Sequence, residues 1–456
     1  MRIFPPATDV GDEEGFSSEK DIFKRAEFGK SLANLVSIVE DPLVIVLDGP
    51  WGSGKTTFIK MWAGHLRSMG HPVIYFDAFA NDYIDDAFIA IAGEVIAQSE
   101  KEKKGKTPAH KKFLNTAARA GRAILRSGTK IGVKAATLGA LDAADIAELK
   151  SVAGDLASEA SSKSDEYVKS LLSRQGSDRK SIEGFRSALS ELVGSLGERL
   201  KAEDKAERQL PLIFIVDELD RCKPPFALEL LEKIKHVFSV PNVHFVLVSH
   251  LAQVENSVRF GYGQDIDART YLQKFYNLIV HLPGDGKYES ERALRKFLEY
   301  LNNHLTFDRA AIEFIENVAS AHNMTFRTVE RMAVYLSLSI AFTTSNKQRW
   351  YRPPPILAGL CVLKAVEPNL FQKAKSGVLT FAEASSAFKF AEWPKESSAA
   401  ERSIKWWEFA LGQNIDAKTE EWRGFAHTLW DFNIEREDVV RVVANTVVDR
   451  MTIPQE

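Results

Sequence analysis

The sequence has few of the features that mark secreted, metal-stabilised or membrane-spanning proteins. Its two cysteines, Cys222 and Cys361, are too few for a disulfide framework and lack the spacing of a metal site. The N-terminus lacks the organisation of a secretory signal. A formal net charge of −3 in 456 residues disfavours a general polyanion binder, so nucleic acid is not indicated as a partner. We expect a cytoplasmic protein of two or three domains.

Long apolar runs are also missing. The most apolar part of the middle of the chain, residues 123–149, contains the charged residues Arg126, Lys130, Lys134, Asp142 and Asp145. A spanning helix needs roughly 20 consecutive apolar residues, so we expect residues 100–150 to be soluble. The lysines between residues 101 and 112 leave one alternative, a helix at the membrane surface. A solvated basic face also explains them.

The clearest chemical signal is a short glycine-rich segment between a strand and a helix. Leu43–Asp48 is an apolar run typical of a buried strand, and Phe58 to Leu66 has the pattern of an amphipathic helix. The residues between them fit G-x-x-x-x-G-K-T, which in this context is a phosphate-binding P-loop. The predicted nucleotide-binding residues are Gly49, Pro50, Trp51, Gly52, Ser53, Gly54, Lys55, Thr56 and Thr57.

This segment has the chemistry that a polyphosphate requires. Several negative charges in a small volume need many donors, and the glycines let the backbone approach them closely. Backbone N–H groups can surround the phosphates at the helix N-terminus, Lys55 can bridge the outer phosphates, and the hydroxyl of Thr56 can ligate Mg²⁺. We therefore predict ATP and Mg²⁺ as ligands.

A second segment, Leu210 to Glu218, is an apolar strand that ends in two acidic residues. Such a run suits a central strand of a parallel sheet covered on both faces. Its end should lie beside the P-loop, where Asp217 would hold Mg²⁺ from the outer shell and Glu218 would polarise the attacking water. Because nucleotide kinases commonly lack this base, the pair favours an ATPase, with Lys55 and Glu218 as catalytic residues.

The rest of the chain predicts an α/β protein in which helices sandwich a parallel sheet of the P-loop NTPase type. Further strands are expected at 72–76, 242–250 and 277–283, and the first helix from about Ile22 to Val39. Ligands bind at the carboxyl ends of such strands. The predicted domains are a leader at 1–20, a core at 21–99 and 209–285, a helical insertion at 100–208 and a C-terminal all-α domain at 286–456.

Several other residues have two explanations each. Ser249 and His250 close a strand next to the acidic one, where they could sense the γ-phosphate or simply cap the strand. For Arg221 a structural pair with Asp217 or Asp220 is favoured over a catalytic role. The tryptophans of the C-terminal region, which are Trp406, Trp407, Trp422 and Trp430, are expected in a helical core rather than in a binding platform.

These segments resemble the KAP family of P-loop NTPases over roughly Asp21 to Leu338. The resemblance rests on the P-loop at 49–57, Tyr-Phe-Asp-Ala-Phe at 75–79, Val-Asp-Glu-Leu-Asp-Arg-Cys-Lys-Pro at 216–224 and Tyr-Leu-Gln-Lys-Phe at 271–275. It implies a five-stranded core with an additional strand and a catalytic glutamate. Members include phage-exclusion proteins and membrane scaffolds, so the resemblance also implies a protein partner or self-assembly and suggests phage defence as the process.

The chain departs from the family pattern at two positions. Members often have Asp-Asp where Asp217-Glu218 stands, and often an acidic residue where His250 follows Ser249. The glutamate strengthens the prediction of hydrolysis, whereas the histidine leaves the sensor open. Many members also carry transmembrane helices between the two motifs, where this chain has its charged insertion.

The resemblance adds Arg327 as a third catalytic candidate. Arg327 and Arg331 lie one turn apart at the start of a helix expected from Thr325 to Thr343, and related ATPases use such a position to reach the γ-phosphate. A surface ion pair with Glu330 or a neighbour is the alternative.

The overall prediction is an Mg²⁺-dependent ATPase whose nucleotide state moves the helical domain and the insertion, as a switch or an assembly module. A GTPase is disfavoured because no Asn-Lys-x-Asp guanine reader follows a late strand, and Asn346-Lys347 is followed by Gln348 and Arg349. A scaffold that binds ATP with little hydrolysis stays an alternative of a different class.

Overall fold

The computed structural model describes residues 10–84, 86–101, 107–127, 164–196, 199–201, 207–283, 287–305, 307–344, 353–413, 415–430 and 434–449. Most of the apolar region at 123–149 and the Asn346-Lys347 pair lie outside these residues. Among the described helices, none is long and apolar enough to cross a bilayer.

A five-stranded parallel sheet lies at the centre of the fold. The strands of the chain are β1 (Leu43–Asp48), β2 (Val73–Asp77), β3 (Arg199–Lys201), β4 (Glu207–Gln209), β5 (Leu212–Asp217), β6 (Val243–Ser249) and β7 (Leu278–His281). The sheet has the order β2-β5-β6-β1-β7, and every neighbouring pair in it is parallel. This architecture confirms the predicted fold class. β5 is fully buried along its length, as expected of an inner strand with a continuous apolar run.

The predicted helical insertion at 100–208 also contains strands near its end. There β3 and β4 form a two-stranded antiparallel ladder. Pro211 lies between β4 and β5, and a proline disfavours helical backbone at the residue before it. The proline therefore favours extended backbone just before β5. A strand is more compatible with this backbone than a helix in the segment that precedes it.

Seventeen helices accompany the strands among the described residues. They are α1 (Ala26–Ile38), α2 (Lys55–Ser68), α3 (Ala87–Lys101), α4 (Pro108–Ser127), α5 (Ser164–Val193), α6 (Pro224–Lys233), α7 (Leu251–Tyr262), α8 (Ala268–Leu272), α9 (Lys287–His304), α10 (Arg309–Ala321), α11 (Phe326–Thr344), α12 (Pro354–Val366), α13 (Pro368–Ser376), α14 (Phe381–Phe388), α15 (Ser398–Leu411), α16 (Arg423–Trp430) and α17 (Val439–Val443). A short 3₁₀ turn, Leu219–Arg221, follows β5.

The first helix begins later than the sequence pattern predicted, at Ala26 rather than Ile22. The carboxylate of Asp21 accepts the backbone N–H groups of Arg25 at 2.8 Å and of Ala26 at 2.9 Å. Lys24 has a φ angle of +57°, which no α-helix can contain. Residues 21–25 therefore form a capped turn that precedes α1.

Helices cover both faces of the sheet. On one face, Ile45 and Leu47 of β1 pack in a cluster with Trp62 of α2. On the other face, Val44 and Val46 belong to a larger cluster with residues of α3 to α8. Alternate residues of β1 thus enter opposite layers, as the two-residue period of a strand requires.

The flanks of the insertion are part of this second layer. Phe113 of α4 and Phe185 of α5 are completely buried, and their rings lie 5.3 Å apart. Phe185 also contacts Phe88 of α3 at 5.1 Å. The apolar face of α4 is therefore covered by the protein and is not available to a membrane surface, while Lys111 and Arg119 on its other face are exposed.

The helices from α9 onwards enclose a separate hydrophobic core. Trp406, Trp407 and Trp422 are buried in it, which confirms the core role predicted for them. The side chain of Trp430 is outside the described atoms. The boundaries between leader, core, insertion and helical domain stay predictions.

We expect Phe185→Ala to destabilise the sheet-bearing core strongly, because it removes a completely buried ring that contacts two other helices. The expected loss in the free energy of unfolding is about 3–5 kcal/mol, measured by urea denaturation. The matched control is Phe260→Ala, since Phe260 of α7 is 70% exposed and should change stability by less than about 0.5 kcal/mol. Equal effects of the two substitutions would show that α5 does not belong to this core.

Candidate nucleotide-binding site

The P-loop connects β1 to α2 at the carboxyl end of the sheet. Gly52 and Gly54 have φ angles of +77° and +86°, a left-handed region in which glycine alone carries no steric cost. The helix begins at Lys55, immediately after Gly54. Both glycines, together with Lys55 and Thr56, line a cavity at this edge of the sheet. The backbone and the helix N-terminus therefore meet there as the sequence pattern predicts.

Lys55 is held against the loop. It is 8% exposed, and its Nζ donates to the carbonyl oxygens of Gly49 at 2.5 Å and Pro50 at 3.0 Å. Burial lowers the pKa of the ammonium, although nearby carboxylates, first that of Asp220, act in the opposite direction. An anionic group in the cavity would supply the opposite charge that the two neutral carbonyls do not.

Asp217 ends β5 beside the P-loop and is only 2% exposed. The hydroxyl of Tyr75 donates to its Oδ2 at 2.7 Å, and the backbone N–H of Glu218 donates to its Oδ1 at 2.9 Å. Thr56 also forms a side-chain hydrogen bond with it. Burial raises the pKa of Asp217, and these three hydrogen bonds oppose the rise. The two residues predicted to serve a metal, Thr56 and Asp217, are thus in contact.

Glu218 follows Asp217 with a φ angle of +60°. Its Oε1 forms an ion pair with Nη1 of Arg221 at 2.8 Å. The prediction that Arg221 pairs with Asp217 or Asp220 was therefore wrong. The physical reason is the 3₁₀ turn, which brings residues three apart to the same side. Burial raises the pKa of Glu218, and Arg221 lowers it.

The helical core meets the P-loop through the start of α11. A Cβ atom added to Gly52 would lie 2.8 Å from Cβ of Arg327, so the two backbones are in close contact. Arg327 and Glu330 line the same cavity as Lys55 and Glu218, whereas Arg331 is exposed and does not line it. Of the two arginines at the start of this helix, only Arg327 lies at the site.

Ser249 and His250 lie at the edge of this arrangement. Ser249 is 1% exposed and is the register partner of Asp48 in the neighbouring strand, but it does not line the cavity. The ring of His250 packs edge-on against Trp51 at 6.0 Å, and its buried Nδ1 has no hydrogen-bond partner in the described part of the chain. Neither residue acquires a role from these contacts.

One side of the cavity is aromatic, which the sequence pattern did not predict. Phe23, Phe297, Tyr300 and Phe326 also line it, and a Cβ atom added to Gly54 of the P-loop would lie 3.8 Å from the ring of Phe23. The rings of Phe23 and Phe326 are stacked at 4.6 Å, and the guanidinium of Arg25 lies 4.6 Å from the ring of Phe23. These residues come from three distant segments of the chain, so no local pattern could have indicated them.

A parallel α/β sheet with a P-loop after β1, and with an acidic residue at the end of the inner strand β5, defines the class of P-loop NTPases. Within that class, the model of the KAP family P-loop domain matches residues 25–340. The chain belongs to the KAP family.

Three solved structures align with the chain at low sequence identity. Aeropyrum pernix ORC2 in its ADPNP–ADP complexes is 11% identical, covers 98% of this chain and 96% of its own, and has a TM-score of 0.36. Aeropyrum pernix ORC1 in complex with DNA is 10% identical over 88% and 84%, with a TM-score of 0.34. Thermotoga maritima RuvB is 11% identical over 91% and 95%, with a TM-score of 0.28. No curated protein matches the sequence.

Tyr75→Phe should weaken the fold, because it deletes the hydroxyl that donates to the buried carboxylate of Asp217 while keeping the ring. We expect a loss of about 1.5–3 kcal/mol in the free energy of unfolding, the range for hydrogen bonds to charged groups. Urea denaturation without nucleotide or Mg²⁺ measures it. Tyr83→Phe is the matched control, since Tyr83 is 69% exposed. Unchanged stability of Tyr75→Phe would contradict this role of the hydroxyl.

Proposed function

We propose that the protein is an Mg²⁺-dependent ATPase. The observation that carries the proposal is the convergence of Lys55, Thr56, Asp217 and Glu218 on one cavity at the carboxyl edge of the sheet. Each of these side chains has a separate task in phosphoryl transfer to water.

The phosphate end of the cavity fits a magnesium nucleotide. Thr56 and Asp217 offer hard oxygen atoms next to each other, and Mg²⁺ prefers such ligands together with waters and phosphate oxygens. When bound, Mg²⁺ would neutralise charge that develops on the phosphates. Thr56 would be its direct protein ligand and Asp217 would hold it from the outer shell. The backbone N–H groups of the P-loop and Lys55 would bind the phosphates themselves.

The aromatic side of the cavity suits a nucleobase. Aromatic side chains stack on bases of every kind, so the cluster supports a nucleotide ligand but does not by itself select adenine. We favour ATP over GTP because the sequence has no Asn-Lys-x-Asp guanine reader. The only Asn-Lys pair of the sequence, at 346–347, is followed by Gln348 and Arg349. The guanine reader has an aspartate in place of this arginine.

We assign the role of general base in hydrolysis to Glu218. A carboxylate beside the γ-phosphate can accept a proton from the attacking water and so increase its nucleophilicity. Arg327, on the helix that contacts Gly52, is proposed to counter charge on the γ-phosphate. The alternative of an ATP-binding scaffold with little turnover would use the same cavity, so only a measurement of turnover distinguishes the two.

We further propose that the nucleotide acts as a switch between the sheet and the helical domain. The contact of α11 with Gly52 supports this proposal, because a phosphate bound by the P-loop would lie beside Arg327. Movement of the helical domain would then expose or hide a surface for a protein partner or another copy of the chain. Two buried, free cysteines are compatible with a reducing cytoplasm, and phage defence is the process that the family resemblance suggests.

Two substitutions should separate binding from hydrolysis. Lys55→Ala is expected to abolish ATP binding in calorimetry, because it removes the charge that faces the outer phosphates. Glu218→Gln should keep ATP affinity while turnover falls by about two decades or more, the scale of a lost general base.

The controls are Lys233→Ala and Glu255→Gln, which alter partly buried, ion-paired residues away from the cavity. Unchanged ATP affinity of Lys55→Ala would refute the binding site. Full turnover by Glu218→Gln would refute the hydrolytic assignment and favour another base.

Substitutions at two adjacent residues of α11 should distinguish contacts with the nucleobase from contacts with the γ-phosphate. Phe326→Ala is expected to weaken ATP and ADP binding alike, because both nucleotides carry the base. Arg327→Ala should weaken ATP binding, or slow turnover, with little change for ADP, because only ATP has a charged group at that point. Arg331→Ala is the control on the same helix. If Arg327→Ala does not distinguish ATP from ADP, α11 does not sense the γ-phosphate.

A further inference from the structure

Two side chains of the 3₁₀ turn after β5 contact the candidate site, one at the P-loop and one at Glu218. The indole Nε1–H of Trp51, in the P-loop, donates to Oδ2 of Asp220. The next residue, Arg221, forms the 2.8 Å ion pair with Glu218. Two consecutive residues therefore connect the phosphate-binding loop to the proposed general base.

The backbone of Glu218 is held in an uncommon conformation by the same turn. A φ angle of +60° is sterically unfavourable at a residue with a side chain. It is sustained here by hydrogen bonds on both sides of the residue. The N–H of Glu218 donates to Asp217 Oδ1 at 2.9 Å, and its carbonyl accepts the N–H of Arg221 at 3.1 Å. Strained residues that their surroundings hold in place are concentrated at functional sites.

The side chain of Glu218 would be poorly defined without Arg221. A glutamate has two staggered side-chain torsions and a third with a broad distribution, and selecting one conformation costs conformational entropy. The guanidinium engages one carboxylate oxygen, Oε1, and both groups are mostly shielded from water, with 30% exposure for Arg221 and 19% for Glu218. Because Arg221 holds Oε1 of Glu218, the position of the other carboxylate oxygen is restricted as well.

We propose that Arg221 is a positioning residue, which orients the carboxylate of Glu218 toward the attacking water, and that the Trp51–Asp220 hydrogen bond couples this orientation to the P-loop. The inference rests on the proposed hydrolysis. Arg221 acts through Glu218, so it contributes to turnover without binding the nucleotide. In the proposed function the phosphates contact the P-loop backbone, Lys55 and Arg327, and Nη1 of Arg221 is already paired with Glu218.

A double-mutant cycle tests the proposal in the full-length protein. Arg221→Met should lower kcat by about 10- to 100-fold, the scale on which a misplaced catalytic group acts, with ATP and ADP affinities unchanged. In the Glu218→Gln background the same substitution should lower kcat no further, because nothing remains to be positioned. Arg221→Lys, which keeps the charge but not the planar fork, should recover part of the activity.

The structure contains a close control pair. Arg259 and Glu255 of α7 form an ion pair at 3.1 Å with 33% and 20% exposure, almost the values of Arg221 and Glu218, and do not line the cavity. Arg259→Met should therefore leave kcat unchanged at a similar cost in stability. Thermal unfolding of every variant identifies losses of folded protein, and Arg221→Lys decides the question if Arg221→Met does not fold.

Trp51→Phe tests the coupling to the P-loop. It keeps a ring beside His250 but removes the N–H that Asp220 accepts. We expect a smaller loss of kcat than with Arg221→Met, and less than additive loss when the two are combined. A full additive loss would overturn the coupling through Asp220.

The other outcomes are equally decisive. A further loss of kcat on adding Arg221→Met to Glu218→Gln would show that Arg221 acts independently of the glutamate. Weaker binding of ATP but not ADP would make Arg221 a phosphate ligand, and faster turnover would make the ion pair an inhibitory restraint. If Glu218→Gln itself keeps full turnover, the proposed hydrolysis fails as well. If Glu218→Gln is inactive but Arg221→Met is not, this inference alone fails.

Discussion

The buried carboxylate of Asp217 is the constraint on which the rest of the site depends. A carboxylate that is 2% exposed must be surrounded by donors, because a buried group without them would lose the hydration energy of its charge. The donors come from three elements: Tyr75 on β2, Thr56 on α2 and the backbone that follows β5. One charge thus fixes the relative positions of the phosphate-binding helix, the neighbouring strand and the start of the turn that carries Glu218.

The parts of this site that a sequence can predict are those that are local. The P-loop and the end of β5 each lie within one short segment, and a strand-period or glycine pattern is sufficient to find them. The fold class follows because parallel strands must alternate with crossover helices. The helix cap at Asp21 and the ladder of β3 with β4 were not foreseen. The cap depends on which N–H groups the carboxylate of Asp21 accepts, and the ladder depends on the pairing of two short segments.

Contacts between distant segments could not be predicted in the same way. The aromatic side of the cavity joins Phe23, Phe297 and Phe326, which become neighbours only after the helical core has packed on the P-loop. The partner of Arg221 depended on whether a 3₁₀ turn or an α-helix follows β5. For Arg327 and Arg331 the helical pattern was clear, but only the position of Gly52 against α11 distinguishes one arginine from the other.

The burial of both α4 and α5 in the layer beside the sheet has a consequence for how this architecture can diversify. Phe113 and Phe185 anchor the two helices in the same cluster, so the chain leaves the core and returns to it at neighbouring points. Closing a loop between fixed ends costs only about 0.6 kcal/mol more for each doubling of its length. The segment between these helices joins two fixed points of the core, so we expect a change in its length to cost little free energy of folding.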